Sequence, residues 1–177
     1  TFFDNLVNEK ILAVEMGYGF RSKRFSLNSN GYITRWENRP LPYGLSVPDP
    51  LDPSEFIRVN VPGMDAIHMG IETDFAVVLH KKLSLEGMVS IGDWRWDSKE
   101  DIVIYSDTIS FDATGVHVGD AAQSTYAASL RYAFVKNGYL KLKYTFFDRY
   151  YSDFNPNSLS GETSGKDSWR IPSYGLL

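Results

Sequence analysis

Apolar and polar residues alternate along most of this chain. Over residues 12–20 the even positions are Leu12, Val14, Met16, Tyr18 and Phe20, and the odd ones are Ala13, Glu15, Gly17 and Gly19. Residues 67–75 set Ile67, Met69, Ile71 and Phe75 against His68, Gly70, Glu72 and Asp74. Residues 83–91 set Leu83, Leu85, Val89 and Ile91 against Ser84, Glu86 and Ser90. The same pattern puts Tyr126, Ala128, Leu130, Tyr132 and Phe134 opposite Gln123, Thr125, Ser129 and Arg131 within 122–134. Within 139–147 it puts Leu140, Leu142, Tyr144 and Phe146 opposite Lys141, Lys143 and Thr145. A period of two marks a strand with one apolar and one polar face. In 25–36 the apolar face of Phe25, Leu27 and Ile33 is interrupted by Ser29 and Gly31. Tyr32, Ile33 and Thr34, together with its place in the series, make it a strand as well. A seventh strand begins near Trp169 and runs to Leu177. No segment reads as a helix, and none approaches the roughly eighteen apolar residues of a spanning helix.

The connections between these strands alternate in length. Short ones fall at 21–24, 80–82 and 136–138, and long ones at 37–65, 95–121 and 149–168. A transmembrane barrel has tight turns on one rim and large loops on the other, whereas a soluble sandwich has no reason to sort loops by end. Phe134 and Leu140 must face the same way, which predicts a three-residue loop Lys136-Asn137-Gly138 with a left-handed Gly138. The same logic predicts His80-Lys81-Lys82 as a three-residue loop. The short turns are basic (Arg21, Lys23, Arg24, Lys81, Lys82, Lys136). The long loops are mostly acidic: Asp49, Asp52 and Glu55, then Glu100, Asp101, Asp107, Asp112 and Asp120, then Asp153, Glu162 and Asp167. Residues 101–114, with Ile102, Ile104, Tyr105, Ile109 and Phe111 around Ser106-Asp107-Thr108, predict a small hairpin standing off the main sheet.

Composition narrows the chemistry. The net charge of -4 with no basic stripe argues against a nucleic-acid partner. With no cysteine there is no disulfide framework, thiolate metal site or thiol nucleophile. His68, His80 and His117 are too scattered for a ligand cluster, so no metal and no other cofactor is expected. No phosphate loop, dinucleotide fingerprint or catalytic pattern is present, and the chain is not expected to be an enzyme. An aromatic content of 15% suits interfacial girdles. Trp36, Trp94, Trp96, Tyr150, Tyr151 and Trp169 all lie where strands pass into long loops, and a girdle or loop packing there is preferred over a stacking surface for a ligand.

Particular stretches carry a family resemblance. Val14-Glu15-Met16-Gly17-Tyr18 with Phe25-Ser26-Leu27-Asn28, and Met69-Gly70-Ile71-Glu72 with Leu83-Ser84-Leu85, resemble the barrel of TonB-dependent receptors. So do Gly92-Asp93-Trp94, Val116-His117-Val118-Gly119-Asp120-Ala121-Ala122-Gln123, Asp153-Phe154-Asn155-Pro156-Asn157 and Ile171-Pro172-Ser173-Tyr174-Gly175-Leu176, in the manner of receptors common in Bacteroidota. The resemblance spans nearly the whole chain. It implies that residues 1–177 are part of an all-β, antiparallel up-and-down meander, about seven strands of a transmembrane barrel of about 22. It further implies a bacterial outer-membrane setting, import of a scarce nutrient such as an iron chelate, haem, cobalamin or glycan, and lipid around the wall. Partners in such a transporter are its own N-terminal plug and, through the plug, the TonB complex; a surface lipoprotein over the loops is left open. The plug, the TonB box, the first dozen or more strands and the terminal aromatic strand are not in this sequence, so the expectation is a stretch of wall.

Two groups of side chains are the candidate sites. Trp36, Trp94, Trp96, Asp120 and Gln123 sit at the loop rim and are the candidates for substrate contact. Asp74, Glu86, Arg131, Lys141 and Lys143 fall at one height on the polar faces and predict a charge belt on the lumenal wall. In that belt Arg131 lies opposite Lys143, and Glu86 is the counter-ion of Arg131. The rival reading is a soluble or small-barrel β protein that binds a ligand in its interior. It would bury the apolar faces and expose the charges; a barrel wall does the opposite.

Overall fold

The computed structural model describes residues 7–39, 45–49, 51–59, 63–104, 107–153 and 169–177. The six alternating segments form six long strands: β1 (Lys10–Arg21), β2 (Phe25–Arg39), β5 (Met64–His80), β6 (Leu83–Trp96), β9 (Ala122–Val135) and β10 (Gly138–Tyr151). Two short hairpins, β3 (Leu45–Pro48) with β4 (Phe56–Val59) and β7 (Lys99–Ile104) with β8 (Asp107–Asp112), form separate two-stranded sheets within the first two long connections. The second answers to the hairpin predicted at 101–114, though it spans Lys99–Asp112 and takes Asp107 and Thr108, predicted in its turn, into β8; the first was not foreseen. Where one seventh strand was predicted, the chain forms two pieces, β11 (Arg170–Ile171) and β12 (Tyr174–Leu176), both paired to β10. Pro172 stands between them and has no N–H to give a ladder. The main sheet runs β1-β2-β5-β6-β9-β10-β11, antiparallel at every step. It is an up-and-down meander that does not close into a barrel.

Register decides what the two faces carry. Val14 pairs with Ile33, Ile33 with Met69, Ile71 with Ile91, Leu85 with Leu130 and Leu130 with Leu142. The apolar positions of all six strands therefore fall on one face. The interruption in β2 is shared: Ser29 lies opposite Thr73, and the two hydroxyls hydrogen-bond at 2.9 Å.

The short turns differ from expectation. Lys81-Lys82 and Lys136-Asn137 are two-residue reversals flanked by the pairs His80–Leu83 and Val135–Gly138. A bulge follows each, with Leu79 and Phe134 as the extra residues. The parity argument holds, but the bulges satisfy it rather than a third loop residue. Gly138 is not in the left-handed region; a Cβ there would come within 2.7 Å of the Val135 side chain. In the third hairpin the register consequently moves by two, and Lys141 rather than Lys143 lies opposite Arg131. In the first turn, Ser22 closes the reversal: its N–H donates to the Phe25 carbonyl at 2.7 Å, and its hydroxyl accepts from the Phe25 N–H at 3.1 Å.

The turns are also staggered. Arg24, Val78, Ser84 and Arg131 share one row across the sheet. Arg24 is itself in the first turn, whereas the chain runs three residues further to Lys81 in the second turn and five further to Lys136 in the third. That is about one residue per strand. With about 3.3 Å of rise against about 4.8 Å between strands, it tilts the strands by roughly 35° from the perpendicular to the line joining the turns.

The main sheet has one layer. Ile71, Met69, Ile91 and Leu130 lie on interior strands, yet each keeps between 42% and 50% of its surface exposed. The buried apolar residues among those described are Met64, Ala66, Trp96, Ala113, Val116 and Tyr151, all at the long-loop end. There β9 parts from β6 beyond the pair Ile91–Ser124, and residues 116–118 take its place: the Val118 N–H donates to Trp94 and the Trp96 N–H to Val116, both at 2.9 Å.

Gly70 shows how tightly this sheet is built, since a Cβ there would meet the Ile91 carbonyl at 2.8 Å and the Tyr32 hydroxyl at 2.6 Å. Gly70→Val should cost about 1–3 kcal/mol, read as a lowered denaturation midpoint by tryptophan fluorescence. Gly31→Ala, whose new methyl meets only the Gly70 carbonyl at 3.9 Å, should leave the midpoint within about 0.5 kcal/mol of the parent.

Candidate functional site

The polar face carries two groups of side chains at different heights. Near the short turns, Asp74, Glu86, Arg131, Lys141 and Lys143 share this face, as the pairings Asn28–Asp74, Ala76–Glu86, Glu86–Ser129, Lys143–Ser129 and Lys141–Arg131 require. The Lys141 ammonium donates to Glu86 at 2.6 Å, and the Ser129 hydroxyl donates to the same carboxylate oxygen at 3.2 Å. The counter-ion of Glu86 is thus Lys141, not Arg131. Arg131 lies over the Tyr139 ring at 4.1 Å instead, because the two-residue register shift brings Lys141 alongside Arg131 and leaves Glu86 within reach of the slimmer ammonium. Asp74 accepts from the Asn28 amide at 3.0 Å. The Lys141 and Glu86 side chains are each 39% exposed, so this pair contributes about 0–1 kcal/mol. A depression of about 330 Å³ lies here, bordered by Asp74, Glu86, Lys141 and Lys143.

Toward the long loops the same face carries an aromatic ladder. Trp36, His68 and Trp94 come from β2, β5 and β6; their rings stack at 5.9 and 5.5 Å between centroids. The Arg39 guanidinium covers Trp36 at 4.9 Å and Trp96 at 5.8 Å. Tyr32 lies in a row with Gly70 and Gly92, and its hydroxyl accepts from the Trp94 indole N–H at 2.9 Å. A girdle would stand on the apolar face, so Trp36, Trp94 and Trp96 do not form one; alternation puts them on the polar face. Their faces are taken up largely by one another and by Arg39. His68 is the member that sequence reasoning set aside, and its Nε2 has no hydrogen-bond partner. The shared parity of Trp36, His68 and Trp94 was the signal, but it needed the register of β2, β5 and β6 to be read.

The remaining rim candidates have other surroundings. Gln123 is buried, and its amide is spent on main chain: it accepts from the Trp94 N–H at 3.1 Å and donates to the carbonyls of Trp94 and Val118. It acts as a strut where β9 leaves β6. Asp120 is exposed with φ of 62°, its carbonyl accepting from the Tyr150 hydroxyl at 3.2 Å. Tyr151 is buried against His117, ring on ring at 4.0 Å, and Trp169 is exposed. Arg149, with φ of 51°, ties three strands together by donating to Ser124 Oγ at 2.8 Å and to the Gly92 and Gln123 carbonyls. Glu162 and Asp167, together with the stretch 154–157, lie outside the described residues. Among the described residues no three His, Asp or Glu side chains converge as metal ligands. No family model and no curated protein matches this chain.

Asp148, one residue beyond the apolar stretch 139–147, fastens the last two strands to β10. Its carboxylate accepts from the Ser173 hydroxyl, the Arg149 N–H at 2.8 Å and the Arg170 guanidinium at 2.6 Å. The Ser173 hydrogen bond first, then the other two, hold its pKa down at about 2. The fold favours the ionised form, so this contribution is complete above the ordinary carboxylate value and lost as pH falls through about 2. Hydrogen exchange of residues 169–177, corrected for intrinsic rates, should show constant protection from neutral pH to about 4 and a decline below that. Asp148→Asn should lower the protection at neutral pH and abolish that decline.

Proposed function

We propose that this sheet is a stretch of wall from an outer-membrane β-barrel, of the TonB-dependent kind that imports a scarce nutrient. One observation carries the membrane part. The apolar positions of six neighbouring strands form a continuous face that none of the described residues covers, even on interior strands. A soluble ligand-binding barrel would turn that face inward. Slant and height support the same reading. Strands at roughly 35° match the 35–45° of membrane barrels. Nine-residue stretches such as 83–91, slanted so, stand about 24 Å tall against an apolar band of about 25 Å. The face also ends where charge begins: beyond the apolar stretches at the loop end it carries Arg35, Asp93, Arg95 and Asp148.

The polar face is then the lumenal wall. Glu72, Asp74 and Glu86 lie on β5 and β6, and Arg131, Lys141 and Lys143 on β9 and β10, so the lumen is acidic on one side of the segment and basic on the other. The plug, the TonB complex and the substrate belong to the reading through the sequence resemblance alone.

The chain has no cysteine, so introduced thiols report cleanly. Placed at Val14, Ile71, Leu130 or Leu142 in the intact protein, they should react with lipid-phase probes and resist aqueous ones. Thiols at Glu72 or Lys141 should do the opposite. Aqueous labelling of the first set with protection of the second would reverse the orientation and favour the soluble ligand binder.

A further inference from the structure

The short-turn end carries a collar of cations with no structural use for their charge. Arg21, Lys23, Arg24, Lys81, Lys82 and Lys136 are all exposed, and among the described residues none of them makes an ion pair. Three turns from distant parts of the sequence contribute to it. The meander brings them to one end of the sheet, and the stagger of about one residue per strand levels them once the strands are slanted by roughly 35°.

The same end of the apolar face carries aromatic rings. Phe20 and Phe25 face each other across the first turn at 6.1 Å, and Tyr18 and Tyr132 stand on the same face. Each is only a few residues from a turn cation: Phe20 from Lys23, and Tyr132 from Lys136. Apolar surface, then aromatic rings, then unpaired ammonium and guanidinium groups is the order met on crossing from acyl chains through the glycerol level to headgroup phosphates. At the opposite end the exposed loop charges are mixed, Asp52, Glu55, Asp101 and Asp120 standing among Arg58, Lys99 and Arg170.

We propose that this collar binds the headgroups of anionic phospholipid and so fixes which leaflet the short turns face. The proposal rests on the lipid-facing reading of the apolar face. Its occupant is a lipid surface because Lys23, Lys81 and Lys136 stand in the turns at the rim of an apolar and aromatic face; Arg21, Arg24 and Lys82 fall on the polar side of the same rim. A soluble acidic partner would not require that placement.

The test compares partition of the 177-residue chain, refolded with vesicles, into phosphatidylcholine alone and into phosphatidylcholine with about one-third phosphatidylglycerol. The chain as a whole carries a net charge of -4, so unsegregated charge would weaken binding to anionic vesicles. The collar should instead strengthen it by at least about ten-fold at low salt, with the gain vanishing near 0.5 M salt. Replacing Lys23, Lys81, Lys82 and Lys136 together by glutamine should remove the gain and leave binding to phosphatidylcholine unchanged. The same four replaced by arginine should keep the gain, which separates charge from folding. Equal partition into both vesicles overturns the collar and leaves the lipid-facing reading standing. No partition into either overturns that reading, and the collar with it. Salt-sensitive binding of soluble polyglutamate that outcompetes the anionic vesicles would assign the collar to an acidic protein and overturn the proposal.

Discussion

Backbone pairing at period two ties every side chain of this sheet to one of two faces, and the rest of the structure depends on that tie being kept across five strand junctions. A slip of one residue at any junction would carry a whole strand's apolar set to the other side. No junction slips. Where a hairpin needs an extra residue to keep parity, the chain bulges at Leu79 and Phe134 rather than surrender the face. Even the polar intrusion at Ser29 is matched by Thr73, so that each hydroxyl has a partner on an otherwise apolar face.

A single sheet with one unburied apolar face lacks the usual source of stability in water. The buried apolar residues among those described form only a small cluster under the long loops. What holds the sheet is its ladder of main-chain hydrogen bonds, and such a ladder is strongest where no water competes and no edge is left open. The slant of the strands, the height of the apolar stretches and the sorting of loops by end all follow from the same register, which is why they agree with one another.

On the polar face, packing is achieved with glycine and aromatic side chains rather than with a second layer. Tyr32 shares a row with Gly70 and Gly92, and the indole of Trp94 leans toward the same space. The ladder of Trp36, His68 and Trp94 stiffens the wall just below the loop cluster, while Gln123 and Arg149 bridge the place where β9 gives way to residues 116–118. The charges nearer the turns are paired lightly and remain open to solvent. These are two different surfaces on one wall, one rigid and aromatic, the other hydrated and ionic.

Much of this was legible in the residues themselves. Alternation from Leu12 to Phe146 located six strands and both faces, loop lengths implied the meander, and parity put Asp74, Glu86, Arg131, Lys141 and Lys143 on one side. Periodicity is a local property, so it survives without knowledge of neighbours. What required the tertiary structure was every relation between strands. Glu86 pairs with Lys141 because a bulge at Phe134 moves the register by two, and a bulge costs so little that no residue in the turn announces it. Pro172 divides the last strand, Trp36 and Trp94 join His68 in a ladder on the polar face rather than a girdle, and Trp96 is buried at the loop end. A tryptophan near a loop looks the same in sequence whichever way it points, and only the partner strand fixes the direction.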